Sequence, residues 1–307
     1  MSSAAIVPPA PIGFVGLGKM GYPMVRQLSR AGYRILAHDL DAHALRRACE
    51  STGAEAPGSL RAIAGRCEAV ITMLPEGKAV RAVALGPEGL LVGFSSGDLL
   101  IDMSSSSPVG TRDLGAQLAA SGIEMIDAPV SGGVRKAEDA TLAIMVGGEA
   151  RSIERCRPVL EAMGKQIFLT GSLGSGHAMK ALNNYVSAAG LAAAVEAVLA
   201  AARFGLDPGK VVDVLNASTG MNNSTLNKFH RFILSRSFDS GFSLDLMVKD
   251  LRTALEVAHS SGTPAPLAEA CVEAWSEAQS ALGPGLDHTA VVRYWENLAG
   301  TQLGKKE

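Results

Sequence analysis

Short apolar runs alternate with helix-patterned segments through the first half of the chain, and no other feature narrows the fold as far. Runs with strand character fall at 12–15, 34–38, 69–74, 98–103, 123–126, 142–146 and 166–169. Between most of them, residues 19–31, 42–50, 60–64, 109–121 and 150–163 carry apolar side chains at helical spacing. This βαβα order predicts a mostly parallel sheet covered by helices on both faces. Beyond Gly176 the strand signals stop. Segments 180–204, 208–217, 245–260, 267–282 and 289–297 have helical periodicity with Gly or Pro between them, so the second half is expected to be all helical. The glycine-rich run 171–176 breaks both patterns. The expected organisation is a flexible leader at 1–11, an α/β domain at 12–173 and a helical domain at 174–307. A long helix from about 176 to 205 would bridge them, with a ligand in the cleft between.

Composition excludes several classes. A net charge of −2 gives no electrostatic case for nucleic acid or an anionic membrane, so the expected partner is a small molecule. Cys49, Cys67, Cys156 and Cys271 form no CxxC pair, which argues against a zinc site or disulfide framework and fits a reducing, cytoplasmic setting. Residues 1–11 are rich in Ala, Ser and Pro, with no positive charge and no apolar core, unlike a signal peptide. Residues 185–202 hold a single charge, Glu196, but are built mainly of alanine, so a close-packed core helix is expected there rather than a membrane span.

Gly16-Leu17-Gly18-Lys19-Met20-Gly21 places GxGxxG between the first strand and its helix. Gly16 permits a tight turn, Gly18 lets backbone approach a pyrophosphate, and Gly21 lets helix and strand pack closely, with the helix N-terminus facing the phosphates. Gly16, Leu17, Gly18, Lys19 and Met20 are therefore cofactor-binding candidates; a glycine cluster serving helix packing alone is the alternative. Asp39 ends the second strand, where a carboxylate can accept hydrogen bonds from ribose hydroxyls and repel a 2′-phosphate. This favours NAD over NADP. Asp41 is the better N-cap for the helix that follows.

Three further segments carry candidate chemistry. In Asp127-Ala-Pro-Val-Ser131-Gly132-Gly133, a serine and two glycines could present successive N–H groups to a carboxylate, or simply turn the chain. In Gly174-Ser-Gly176-His-Ala-Met-Lys180-Ala-Leu-Asn183-Asn184, Lys180 and Asn184 are four apart and share a helix face. Apolar neighbours would desolvate Lys180 and lower its pKa, as a proton-transfer lysine needs; on its own it could equally snorkel to the surface. In Phe242-Ser-Leu-Asp-Leu-Met-Val-Lys249-Asp250, Lys249 either reaches a cleft or pairs with Asp245 at i, i+4.

Taken together, GLGKMGYPM (16–24), MLP (73–75), DMSS (102–105), DAPVSGG (127–133), GxGxxxKxxNN (174–184) and VKDL (248–251) resemble the β-hydroxyacid dehydrogenase family, which includes 3-hydroxyisobutyrate dehydrogenase and tartronate semialdehyde reductase. The resemblance runs from about residue 12 to 300. It implies a Rossmann-type domain followed by an all-α domain, as in 6-phosphogluconate dehydrogenase, and a homodimer or homotetramer. It makes Lys180 the general acid/base and Asn184 a substrate-orienting residue. Ser131, Gly132 and Gly133 would bind the substrate carboxylate, and Leu74, Pro75, Ser105 and Lys249 would line the cofactor site. The chain departs from the family at Ala140, where glycine is usual, which is expected to be a tolerated backbone change. It departs again at 219–224, where Asn222 or Asn223 suggests a more polar or bulkier substrate tail, unless it caps a helix. Arg135 could meet a second carboxylate or stay solvated. A non-catalytic NAD(P)-binding reader or sensor protein is the competing reading.

Overall fold

The computed structural model describes residues 4–304. The chain divides into two compact units, 1–180 and 181–307, and the division falls inside one long helix.

The first unit is built on β1 Pro11–Val15, β2 Arg34–His38, β3 Ala69–Thr72, β4 Leu99–Asp102, β5 Glu124–Asp127, β6 Val130–Ser131, β7 Leu142–Gly147 and β8 Gly164–Gly171. They form one sheet in the order β2-β1-β3-β4-β5-β7-β6, with β8 on β7. The first five are parallel; β7 runs antiparallel to β5 and β6 and parallel to β8. Side chains alternate across the sheet with period two, so each central strand feeds two cores. Phe14, Ile35, Ile71 and Ile101 enter one core, while Val15, Leu36, Val70 and Leu100 enter the other. Each fully buried aliphatic side chain contributes roughly 1.5–3 kcal/mol.

Helices α1 Gly21–Arg30, α2 Ala42–Thr52, α3 Leu60–Ala64, α4 Gly77–Leu85, α5 Pro108–Ala119, α6 Gly133–Glu138 and α7 Ala150–Glu161 connect the strands. Met24 and Leu28 of α1 and Val159 of α7 cover the first face, and Ile63, Val80 and Leu114 cover the second. The expected strand and helix positions match closely; a 3-10 turn at Leu90–Val92 and three strand or α-helix elements were not marked by the pattern. β6 spans two residues, too few for periodicity. α4 follows Pro75-Glu76-Gly77, which reads as a breaker, and α6 begins in what reads as a glycine turn.

The leader reading is corrected over the described residues from Ala4 onward. Ile6 is buried in the first core, its N–H donates to the Arg155 carbonyl at 2.8 Å, and its carbonyl accepts from Tyr33 Oη at 3.0 Å. An apolar side chain at the third described residue is enough to fasten the segment. Residues 1–3 lie outside the described residues.

Ala140 adopts φ +53°, the left-handed region, in the turn between α6 and β7. There the Cβ crowds the carbonyl, a cost of roughly 1–2 kcal/mol that glycine escapes. The backbone change is therefore a strained one. Ala140→Gly is expected to raise stability by about 1 kcal/mol, after the glycine's extra unfolded-state freedom is discounted. Thermal unfolding should show Tm higher by about 2–4 °C; an unchanged or lower Tm would refute the strain.

The long helix α8, Ser175–Arg203, leads into α9 Pro208–Asn216, a π-helix at Thr225–Ile233, α10 Leu244–Ser260, α11 Pro266–Leu282 and α12 Val292–Ala299. No strand of the named set lies beyond α8, as expected. α8 is long and apolar enough to cross a bilayer by length and composition. One stripe of it (Ala188, Leu191, Val195, Val198) forms the core of the second unit with Phe229, Trp275 and Val291. The rest is less enclosed than the close-packed expectation: Val186 is 68% exposed.

Candidate functional site

The glycine loop is shaped from both ends by backbone. Gly16 has φ +101°, and a Cβ there would collide with the Met73 carbonyl oxygen at the end of β3; a Cβ at Gly21 would fall on the carbonyl oxygen of Gly16. Gly18 differs. A Cβ added to it meets nothing within 4 Å. No protein atom explains the missing side chain there, whereas close passage of a pyrophosphate does. Gly18 and Lys19 are exposed and Met20 half-buried where α1 begins, while Gly16 and Leu17 are buried, Leu17 at 0% exposure.

Asp39 sits at the mouth of the same loop. Its Oδ2 accepts the Leu17 N–H at 2.5 Å and its Oδ1 accepts the Asp41 N–H at 2.8 Å, which fixes the carboxylate beside the glycines. Asp41 caps α2 through the His43 N–H at 2.8 Å, the division of labour expected from the sequence. Arg47 went unmarked in the sequence because it lies inside α2. Its guanidinium stacks 4.1 Å over the Tyr22 ring and donates to the Leu17 carbonyl at 3.4 Å. The residues present thus fit an adenine dinucleotide: an open backbone cradle, a helix N-terminus and an acceptor carboxylate.

Leu74 follows β3 and packs against Gly16, while its N–H donates to Ser104 Oγ at 2.9 Å; Pro75 continues the same loop. Ser104 and Ser106 are buried and turned inward, Ser106 Oγ donating to Asp102 at 2.8 Å. Ser105 between them is half-buried.

Asp127, at the end of β5, is fully buried and accepts the Gly174 and His177 N–H groups, each at 2.7 Å. These are free donors at the start of α8, and a carboxylate there also complements the helix dipole. Burial raises the Asp127 pKa above the usual carboxylate range despite His177 and the two N–H donors, which pull it down. His177 Nδ1 lies 2.8 Å from Thr111 Oγ1 and Nε2 lies 3.2 Å from the Ser104 carbonyl. The first turns of α8, which carry Lys180, are thereby tied to three segments of the sheet unit. Ser131 ends β6, and Gly132 and Gly133 follow with φ +136° and +67°. That backbone suits glycine and opens α6; both the carboxylate cradle and the plain turn require it.

In the second unit, Asn184 is buried on α8 and donates through Nδ2 to Asp250 Oδ2 at 2.5 Å. Asp250 Oδ1 lies 3.1 Å from Lys249 Nζ. Lys249 therefore pairs with its neighbour and not with Asp245, which accepts instead from Gln279 Nε2 at 2.6 Å. Asp250, 1% exposed, is a residue the sequence reading gave no role, since adjacent side chains on a helix are not expected to face each other. Lys180, half-buried, shares its helix face with Asn184. Asn222 is committed elsewhere. Its Oδ1 accepts the Ser224 and Thr225 N–H groups and its Nδ2 donates to the Gly190 carbonyl, so it is a cap and not a substrate contact. Asn223 and Arg135 are exposed. The four cysteines are free, and among the described residues no His, Cys, Asp or Glu cluster could hold a metal ion.

Residues 11–171 match a family model described as the NAD binding domain of 6-phosphogluconate dehydrogenase. Residues 174–295 match one described as the NAD-binding of NADP-dependent 3-hydroxyisobutyrate dehydrogenase. The chain is 36% identical to 2-(hydroxymethyl)glutarate dehydrogenase of Eubacterium barkeri, covering 95% of this chain and 97% of that protein. It is 34% identical to 3-sulfolactaldehyde reductase of Escherichia coli, over 95% and 97% respectively. Among solved structures, 3-hydroxyisobutyrate dehydrogenase of Mycobacterium tuberculosis with L-serine superposes with a TM-score of 0.85 at 34% identity, covering 93% of this chain and 99% of that one. With both family models matched and relatives aligned over nearly their whole lengths at better than one residue in three, the chain belongs to the β-hydroxyacid dehydrogenase family and is a nicotinamide-dependent oxidoreductase.

Proposed function

We propose that this enzyme interconverts a small β-hydroxy acid and the corresponding aldehyde or ketone, with Lys180 as general acid/base. The supporting observation is the α8 face on which Lys180 stands one turn from Asn184, whose amide is fixed by Asp250. Bound nicotinamide supplies the hydride exchange. Neutral Lys180 takes the proton from the substrate hydroxyl in the oxidation direction, and its ammonium returns it to the carbonyl oxygen in reduction. Asn184 offers its carbonyl oxygen and remaining N–H to hold that hydroxyl in line. Ser131 and the N–H groups of Gly132 and Gly133 take the substrate carboxylate, and Leu74, Pro75, Ser105 and Lys249 line the cofactor's place.

Relatives named for hydroxyisobutyrate, hydroxymethylglutarate and sulfolactaldehyde support the reaction class while spanning several substrates. The test is a cofactor-reduction screen over 3-hydroxyisobutyrate, 2-(hydroxymethyl)glutarate, serine, glycerate, threonate and 3-hydroxypropionate. Turnover of at least one supports the reading. Tight cofactor binding without turnover of any would favour a reader or sensor protein instead. The enzyme is further read as a cytoplasmic homodimer or homotetramer, which sedimentation of the purified protein tests.

NAD is the proposed cofactor, on the strength of Asp39 beside the loop. Asp39→Asn keeps an acceptor for the Leu17 N–H but removes the charge. It should lower kcat/KM with NAD by about 10–100-fold, the worth of hydrogen bonds to a charged group, and leave NADP no worse. Native enzyme preferring NADP would refute this use of Asp39.

A further inference from the structure

Lys228 stands in the middle of the π-helix and points to α8, where its Nζ donates to Ser187 Oγ at 3.2 Å. Ser187 is three residues beyond Asn184 and seven beyond Lys180, so all three project from one face of α8. At 1.5 Å per residue, Ser187 lies ~10 Å along the helix axis from Lys180.

The ammonium is half-buried, and the group it donates to is a neutral hydroxyl. The titratable groups that interact with it electrostatically are Asp287 and His288. Asp287 is already engaged by five donors: Ser240 Oγ, the Gly241 and Phe242 N–H groups, and the N–H and hydroxyl of Thr289. His288 is 3% exposed; its Nδ1 lies 3.1 Å from Ser240 Oγ, while its Nε2 is buried with no partner. Burial, with the lysine charge beside it, holds the His288 pKa down to about 4, so the ring is neutral and does nothing to balance Lys228. Burial also lowers the Lys228 pKa to about 8, which still leaves it mainly charged at neutral pH. A partly desolvated ammonium with a single neutral hydrogen-bond partner is costly to keep unless an anion is to be received there.

We propose that Lys228, with Ser187, is a specificity-determining contact for a second carboxylate on the substrate, making β-hydroxy dicarboxylic acids the preferred class. This rests on the reading of Lys180 as the proton-transfer residue. The dimensions agree. Four carbon–carbon bonds of ~1.5 Å separate the hydroxyl carbon from the far carboxyl carbon in a hydroxymethylglutarate, roughly 5 Å end to end when extended. Adding the C–O bond and a hydrogen bond of about 2.8 Å at each end reaches on the order of 10 Å.

The test compares 2-(hydroxymethyl)glutarate with 3-hydroxyisobutyrate, which share the reacting end and differ by the second carboxylate arm. Native enzyme should favour the dicarboxylate at least tenfold in kcat/KM. Lys228→Met should lose about 10–100-fold with the dicarboxylate, through KM, a loss at least ten times that with the monocarboxylate. Lys228→Arg should restore most of it. For a variant that does not fold, inhibition of the native enzyme serves: glutarate should compete with substrate at least tenfold more tightly than butyrate. Equal losses with both substrates, or equal inhibition by both acids, would overturn the proposal. Native turnover of the monocarboxylate without preference for the dicarboxylate would overturn it too, and leave the reaction class standing. Turnover of neither, nor of any other hydroxy acid, would instead remove the reaction class itself.

Discussion

Lys180→Ala is expected to lower kcat by 10²–10⁴-fold or more while leaving cofactor affinity within a few-fold of native. The lower figures are those of general acid–base catalysis by one positioned group, and loss of hydroxyl positioning adds to them. The side chain is half-buried in the second turn of α8, a helix start held by Asp127 and His177 and followed one turn later by the fixed Asn184 amide. Truncation removes the proton carrier without disturbing these anchors. Because no step other than proton transfer is assigned to Lys180, Lys180→Arg should be nearly as inactive, its guanidinium being unable to give up a proton at working pH. Single-turnover kinetics and cofactor fluorescence titration separate the two effects. Retained kcat in Lys180→Ala would defeat the mechanism, and a matching loss of cofactor affinity would move Lys180 from chemistry to binding.

Gly18→Ala and Gly21→Ala should fail in opposite ways. At Gly21 the new methyl would sit on the Gly16 carbonyl oxygen and 3.1 Å from Phe14 Cε1, so strand β1 and helix α1 must part. A clash with backbone cannot be relieved by a rotamer change, and the expected cost is about 2–4 kcal/mol, visible as a clear fall in Tm. At Gly18 the methyl points into open space, so Tm of the cofactor-free protein should be unchanged. Cofactor Kd should nevertheless rise by tenfold or more, since the methyl occupies the approach to the phosphates. Calorimetry without cofactor and titration with NAD test the pair. Normal cofactor affinity in Gly18→Ala would show that the open side of the loop is not the phosphate site.

The parallel strands were legible because burial on two faces leaves an unbroken apolar run: Val70 between Ala69 and Ile71 faces the opposite core from both. The GxGxxG loop, the Asp41 cap and the common face of Lys180 and Asn184 were legible for a similar reason, each being a local rule of spacing. What escaped depends on partners far along the chain. The role of Asp250 exists only because α8 brings Asn184 to it, 66 residues away in sequence. For Asn222 a substrate contact and a cap were equally open from sequence, and only its three side-chain hydrogen bonds, one of them to Gly190 on α8, favour the cap. Lys228 went unmarked because its segment is a π-helix. Leu234 N–H bonds to the Phe229 carbonyl five residues back, and a pattern scan at helical period is blind to that register.

The three glycines of the loop answer to different masters. Gly16 and Gly21 are required by the fold itself, so any descendant of this chain that still folds must retain them, whatever it has come to do. Gly18 meets no protein atom that would require it, so on the proposed phosphate role only the ligand holds it in place. In a lineage released from cofactor use, selection would relax at this position first, and alanine or serine would accumulate there by drift while its neighbours stayed fixed. The residue at position 18 is thus a marker, readable from sequence alone, for telling working dehydrogenases from descendants that keep the scaffold and have abandoned the dinucleotide.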